Sequence, residues 1–114
     1  MLKGLEKVIL ERKKFFEETG QVEEDGRKLY TCYLFQKGID KILKKCGEEC
    51  TEMVIAAKNN DNKELTLEIS DLLYHIMVLC VEQNLPFNDV LSELDERSKK
   101  IGNCKIFNQV DKNS

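Results

Sequence analysis

Five acids on two short stretches hold the chemistry of this 114-residue sequence: Glu48, Glu49 and Glu52 on the first, Glu68 and Asp71 on the second. Glu49 and Glu52 are three positions apart, as are Glu68 and Asp71, so on helices each pair shares a face. At about 100° per residue, Glu49 falls beside Ile42, Cys46 and Met53, and Glu68 falls with Leu65, Leu72 and Leu79. Both acids therefore point into apolar stripes, with Glu52 and Asp71 flanking them. Unpaired anions in such a setting are costly or take up protons, so four converging carboxylates call for a cation. Oxygen-only ligands suit a hard ion, Mg²⁺ or Mn²⁺. Helical glutamates are usually solvated, and that reading stays open for Glu48; the inward projection argues against it for Glu49 and Glu68.

Upstream of the acids, Lys37, Lys41, Lys44 and Lys45 lie on neighbouring faces of the same stretch and form a basic approach to them. Phosphate oxygens not taken by a metal would meet these point charges. The competing reading pairs Lys44 with Glu48 and Lys45 with Glu49 as ordinary i,i+4 contacts, but lysine before glutamate is the weaker order. His75, the one histidine, projects near Glu68 and Asp71. A satisfied core imidazole accounts for it better than proton transfer does, and ordinary packing accounts for Tyr33 and Tyr74.

These residues need helices to hold them. Six glycines and one proline are too few to punctuate a strand-rich chain. Apolar positions recur at helical spacing from Leu2 to Glu18, giving an amphipathic first helix. Residues 20–26 read as a loop, and Leu29 to Phe35 as a short apolar turn or helix. A long helix is expected from Ile39 to Lys58, a turn at 59–62 with Asp61 or Asn62 as the next N-cap, and a third helix from Lys63 to Gln83. A fourth opens at Pro86 or Asn88 and ends near Lys100. The two acid-bearing helices, joined by a short turn, should pack as an antiparallel hairpin with the acids at matching depth. One domain is expected over residues 1–100, with a tail over 101–114.

The totals exclude several classes. A net charge of −3 gives no footprint for general nucleic-acid binding, and no apolar run approaches the roughly 20 residues that span a bilayer. A soluble cytoplasmic protein is expected. Five cysteines with no CxxC pair suggest reduced thiols; Cys46 and Cys50 with His75 make only a weak soft-metal set.

The run Lys37-Gly38-Ile39-Asp40-Lys41-Ile42-Leu43-Lys44-Lys45-Cys46-Gly47-Glu48-Glu49-Cys50-Thr51-Glu52, followed by Glu68-Ile69-Ser70-Asp71-Leu72-Leu73-Tyr74-His75, resembles phosphoribosyl-ATP pyrophosphatase. It carries the EExxE then ExxD pattern of the wider MazG-like nucleotide pyrophosphatases. The resemblance spans about residues 30 to 98 and implies an all-α, MazG-like bundle of four to five helices round a central antiparallel hairpin. It further implies hydrolysis of 1-(5-phosphoribosyl)-ATP to 1-(5-phosphoribosyl)-AMP and pyrophosphate, the second step of L-histidine synthesis. By motif, Glu49, Glu52, Glu68 and Asp71 would hold Mg²⁺, with Glu48 as ligand or water-orienting base, in a homodimer. About 29 residues precede the match, too few for the cyclohydrolase domain to which this activity is often fused, so a monofunctional chain is expected. The alternatives are a MazG-like (d)NTP pyrophosphatase using the same metal site, and a non-catalytic helical interaction module.

Overall fold

The computed structural model describes residues 1–102, which form five helices and one small hairpin: α1 (Leu2–Thr19), β1 (Glu23–Glu24), β2 (Arg27–Lys28), α2 (Tyr30–Lys37), α3 (Ile39–Lys58), α4 (Asn62–Glu82) and α5 (Phe87–Gly102). The all-α class expected from the sequence is what the chain adopts. α1 stops where Gly20 turns left-handed (φ 67°) and its N–H donates to the Phe16 carbonyl at 2.7 Å, the usual glycine cap.

The stretch expected as a plain loop closes instead into an antiparallel hairpin, Glu23 opposite Lys28 and Glu24 opposite Arg27. Asp25 and Gly26 both have positive φ, 52° and 78°, the signature of a two-residue type I′ turn. Opposite charges face each other across the two strands, and the Leu29 N–H donates to the Val22 carbonyl, extending the ladder by one rung. The hairpin delivers the chain to α2 with Lys28 beside it.

Gly38 separates α2 from α3 at φ 89° and ψ −171°. A side chain there would meet nothing within 4 Å; the backbone conformation alone demands glycine. α3 then runs from Ile39 to Lys58, as its apolar period predicts. Asn60, left-handed at φ 58°, reverses the chain, and the Asp61 carboxylate accepts from the Glu64 N–H at 3.0 Å to cap α4. α3 and α4 therefore fold back on one another as the expected hairpin, the most extensive helix pair of the structure.

The core gathers at one end of that hairpin. Ile9 of α1, Leu34 and Phe35 of α2, Ile42 of α3, Met77, Val78, Cys80 and Val81 of α4, and Phe87 of α5 form a single buried cluster. Two polar ties fasten α1 across it. Lys13 Nζ donates to the Val81 carbonyl at 3.1 Å near the end of α4, and Glu6 accepts from the Phe87 N–H at 2.9 Å at the start of α5, each satisfying a helix terminus. The end of the hairpin nearer Asn60 lacks this cover, and Val54, Ile55, Leu67 and Ile69 are exposed there, with Leu73 exposed at its middle. α5 continues to Gly102, so Ile101 and Gly102 are helical; the rest of the expected tail lies outside the described residues.

Candidate metal centre

α3 and α4 bring Glu49, Glu68 and Asp71 together at mid-hairpin, with one carboxylate oxygen from each lying within 4.8 Å of the others. Glu49 is 7% exposed and Glu68 9%, whereas Asp71 opens to solvent. This is the only group of three or more potential ligands among the described residues, so Cys46, Cys50 and His75 do not assemble there. The thiols of Cys32, Cys46 and Cys80 are all pushed up, chiefly by burial, and act as small apolar groups.

With every carboxyl ionised, Glu49 Oε2 and Glu68 Oε2 are buried without a donor among the described residues, an arrangement that costs stability until something positive arrives. A proton is one remedy. The Glu68 carboxyl is pushed up to about 8, first by hydrogen bonding with Glu52, then by burial, then by hydrogen bonds with Glu64 and Glu49. Such bonds between carboxyls exist only when one of them is protonated. A divalent cation is the other remedy. The donor set is entirely carboxylate oxygen, which fits a hard ion; Glu52 is exposed and stands outside this group of three, lining an open cleft with Glu68.

Glu48 is exposed on the rim and forms an ion pair at 3.5 Å with Lys45, three residues back rather than four. Lys44 is exposed, and among the described residues it has no ion-pair partner. Lys37 and Lys41 approach the Tyr33 ring instead, 5.7 and 6.0 Å from its centre.

His75 is buried and has both nitrogens occupied. Nδ1 lies 2.7 Å from the Asp71 carbonyl, which can only accept, so Nδ1 carries the hydrogen. Nε2 is hydrogen-bonded to the Tyr30 hydroxyl at 2.9 Å. The satisfied core histidine expected from the sequence is present, and through it Tyr30 is tied to the segment bearing Asp71. The Tyr30 phenol is pushed up, first by burial and next by the negative charge of Glu49, with Tyr33, Glu48 and Asp71 adding to it. Tyr74 exchanges a short hydrogen bond with Thr31, which holds α2 on α4.

Glu64 and Tyr30 border this centre and Lys28 sits over the Tyr33 ring; none of the three was among the residues singled out from the sequence. Glu64 lines an open cleft with Glu52, Ile55, Ala56 and Glu68; its position four before Glu68, on the same helical face, was the available signal. The Asp25-Gly26 dipeptide could have flagged the turn that fixes Lys28. Tyr30 gave no local signal, because its partner is 45 residues away.

Residues 5–98 match the family model described as phosphoribosyl-ATP pyrophosphohydrolase. A phosphoribosyl-ATP pyrophosphatase of Clostridium novyi is 46% identical over 106 residues, covering 92% of this chain and 87% of that protein. One of Bacillus cereus is 52% identical over 82 residues, 72% of this chain and 77% of its own. A histidine biosynthesis bifunctional protein HisIE of Caldanaerobacter subterraneus is 58% identical over 81 residues, where the matched region covers 66% of this chain and 40% of that longer protein.

Proposed function

The chain belongs to the phosphoribosyl-ATP pyrophosphohydrolase family, and on that footing we propose that it hydrolyses 1-(5-phosphoribosyl)-ATP to 1-(5-phosphoribosyl)-AMP and pyrophosphate in the second step of L-histidine biosynthesis. The observation that carries this reading is the meeting of Glu49, Glu68 and Asp71 within 4.8 Å, with two buried oxygens lacking a donor among the described residues. A non-catalytic module has no reason to hold such a cluster against its stability.

Glu49, Glu52, Glu68 and Asp71 would hold Mg²⁺, or Mn²⁺, which supplies neutralising charge for the polyphosphate and acidifies water. The chain's own residues do the rest. Glu48, exposed beside Glu49, serves as ligand or as the base that orients a water and takes its proton as the oxygen attacks the α-phosphorus and the α–β bridging bond breaks. Lys44 and Lys45 offset charge on the departing pyrophosphate, and Lys37 and Lys41 bind a more distant part of the substrate. Residues 1–100 constitute the catalytic domain and 101–114 a C-terminal tail.

The deciding assay measures pyrophosphate release from phosphoribosyl-ATP, dNTPs and dUTP, with and without chelator. Turnover of phosphoribosyl-ATP that stops with EDTA and returns with Mg²⁺ is expected; preference for ordinary triphosphates would overturn the substrate assignment.

The active form is a homodimer in the cytoplasm. Val54, Ile55, Leu67, Ile69 and Leu73 leave an apolar band on the hairpin, of the kind that marks an interface rather than free surface. Among the described residues no helix is long and apolar enough to cross a membrane. Light scattering should return twice the 13.2 kDa of one chain; a monomeric mass at micromolar concentration would remove the dimer.

A further inference from the structure

The lysines nearest Tyr33 form a second cationic site, apart from the carboxylate centre. Lys28 Nζ, at the end of β2, sits 4.4 Å from the Tyr33 ring centre, and Lys37 and Lys41 approach the same ring at 5.7 and 6.0 Å. Among the described residues none of the three has an ion-pair partner. A single lysine over a tyrosine is ordinary surface packing. Three drawn from a hairpin and two helices onto one ring outnumber the one acid that faces them, Glu23 across the strand from Lys28, and make a patch of positive potential suited to a small dianion.

An aromatic row leads from this patch toward the acids. Tyr33 and Tyr30 have ring centres 6.2 Å apart and planes 28° from parallel, Tyr30 and Tyr74 are similarly disposed at 6.3 Å, and Tyr30 hydrogen-bonds His75. Tyr30 is 41% exposed, leaving ring surface for a ligand. The molecule thus presents carboxylates, then aromatic faces, then lysines. The substrate of the proposed reaction has the same order of parts: a triphosphate on one side of a purine and, on the opposite edge, a second ribose ending in a phosphate monoester.

We propose that Lys28, Lys37 and Lys41, gathered round Tyr33, bind the terminal phosphate of that second ribose, the group that distinguishes phosphoribosyl-ATP from ATP. This rests on the reaction assigned above and adds its specificity determinant. Tyr30 and Tyr33 provide the flat surface the purine crosses, since stacking on aromatic rings tolerates any base face. The lysines then act on substrate selection, and the carboxylates on bond breaking.

The test compares wild type with Lys28→Gln and Lys28→Arg, using phosphoribosyl-ATP and ATP as substrates and ribose 5-phosphate as inhibitor. Lys28 is exposed, and Lys28→Arg preserves its charge. Lys28→Gln should raise KM for phosphoribosyl-ATP with little change in kcat, lower the ratio of kcat/KM for phosphoribosyl-ATP over ATP about tenfold, and weaken competitive inhibition by ribose 5-phosphate; Lys28→Arg should restore all three. An unchanged ratio, or equal losses on both substrates, overturns the site while leaving the pyrophosphatase reading in place. A wild type that ignores phosphoribosyl-ATP overturns that reading and this inference together.

Discussion

Glu49→Gln should cut kcat for phosphoribosyl-ATP by at least about 100-fold, the scale set by losing one preorganised electrostatic group, while the helical signal stays that of wild type. The carboxylate is one of three within 4.8 Å of one another, and its Oε2 has no donor among the described residues. An amide keeps the shape but loses the charge a divalent ion needs. It also gains N–H groups that can satisfy Glu68, so the metal-free variant should melt higher than wild type. The pH dependence follows from the same contact. Because the folded Glu68 carboxyl lies near 8 against an ordinary 4.5, its contribution to metal-free stability is full below about pH 4.5 and is lost as pH rises through 8. The variant should show a smaller loss over that window. Retained turnover by Glu49→Gln would remove the metal-centre assignment, and a lower melting temperature would show that Glu49 is already satisfied.

Leu34→Ala should lower stability by about 2 to 5 kcal/mol, the usual range for emptying a well-packed leucine site. Leu34 is completely buried among side chains from the other helices. α2 is eight residues long and holds its place chiefly through Cys32, Leu34 and Phe35, so little else can close the gap. At about 4 to 8 °C per kcal/mol for a domain of this size, melting should fall on the order of 10 °C or more. The same variant should loosen Tyr30 and Tyr33, which ride on α2, and raise KM before kcat changes. A shift of less than about 1 °C, far below that scale, would mean that α2 is fixed by its polar contacts instead.

The acid-bearing hairpin was the most readable part of the chain. Its apolar period, the Asn-rich turn and the capping Asp61 are all local signals, and α3 begins and ends where they point. The inward direction of Glu49 and Glu68 followed from the same helical geometry. Less could be read where partners are far apart in sequence. Tyr30 meets His75, Lys13 caps the end of α4, and Glu6 accepts from Phe87, each across at least 45 residues; tertiary packing alone creates these pairs. The hairpin at Glu23–Lys28 differed for another reason. Its strands are two residues each and wholly exposed, so no alternation of apolar and polar positions announces them, and only the turn dipeptide could.

The uneven cover along α3 and α4 also bears on how the chain breathes. Local opening is easiest where few apolar contacts must be given up, so amides near Asn60 should exchange with solvent sooner than those around Val78, which lies wholly inside the core. Glu49 and Glu68 stand between these two regimes. An ion bridging them would bind the closed hairpin and not the frayed one, so loading the centre would extend slow exchange toward the turn.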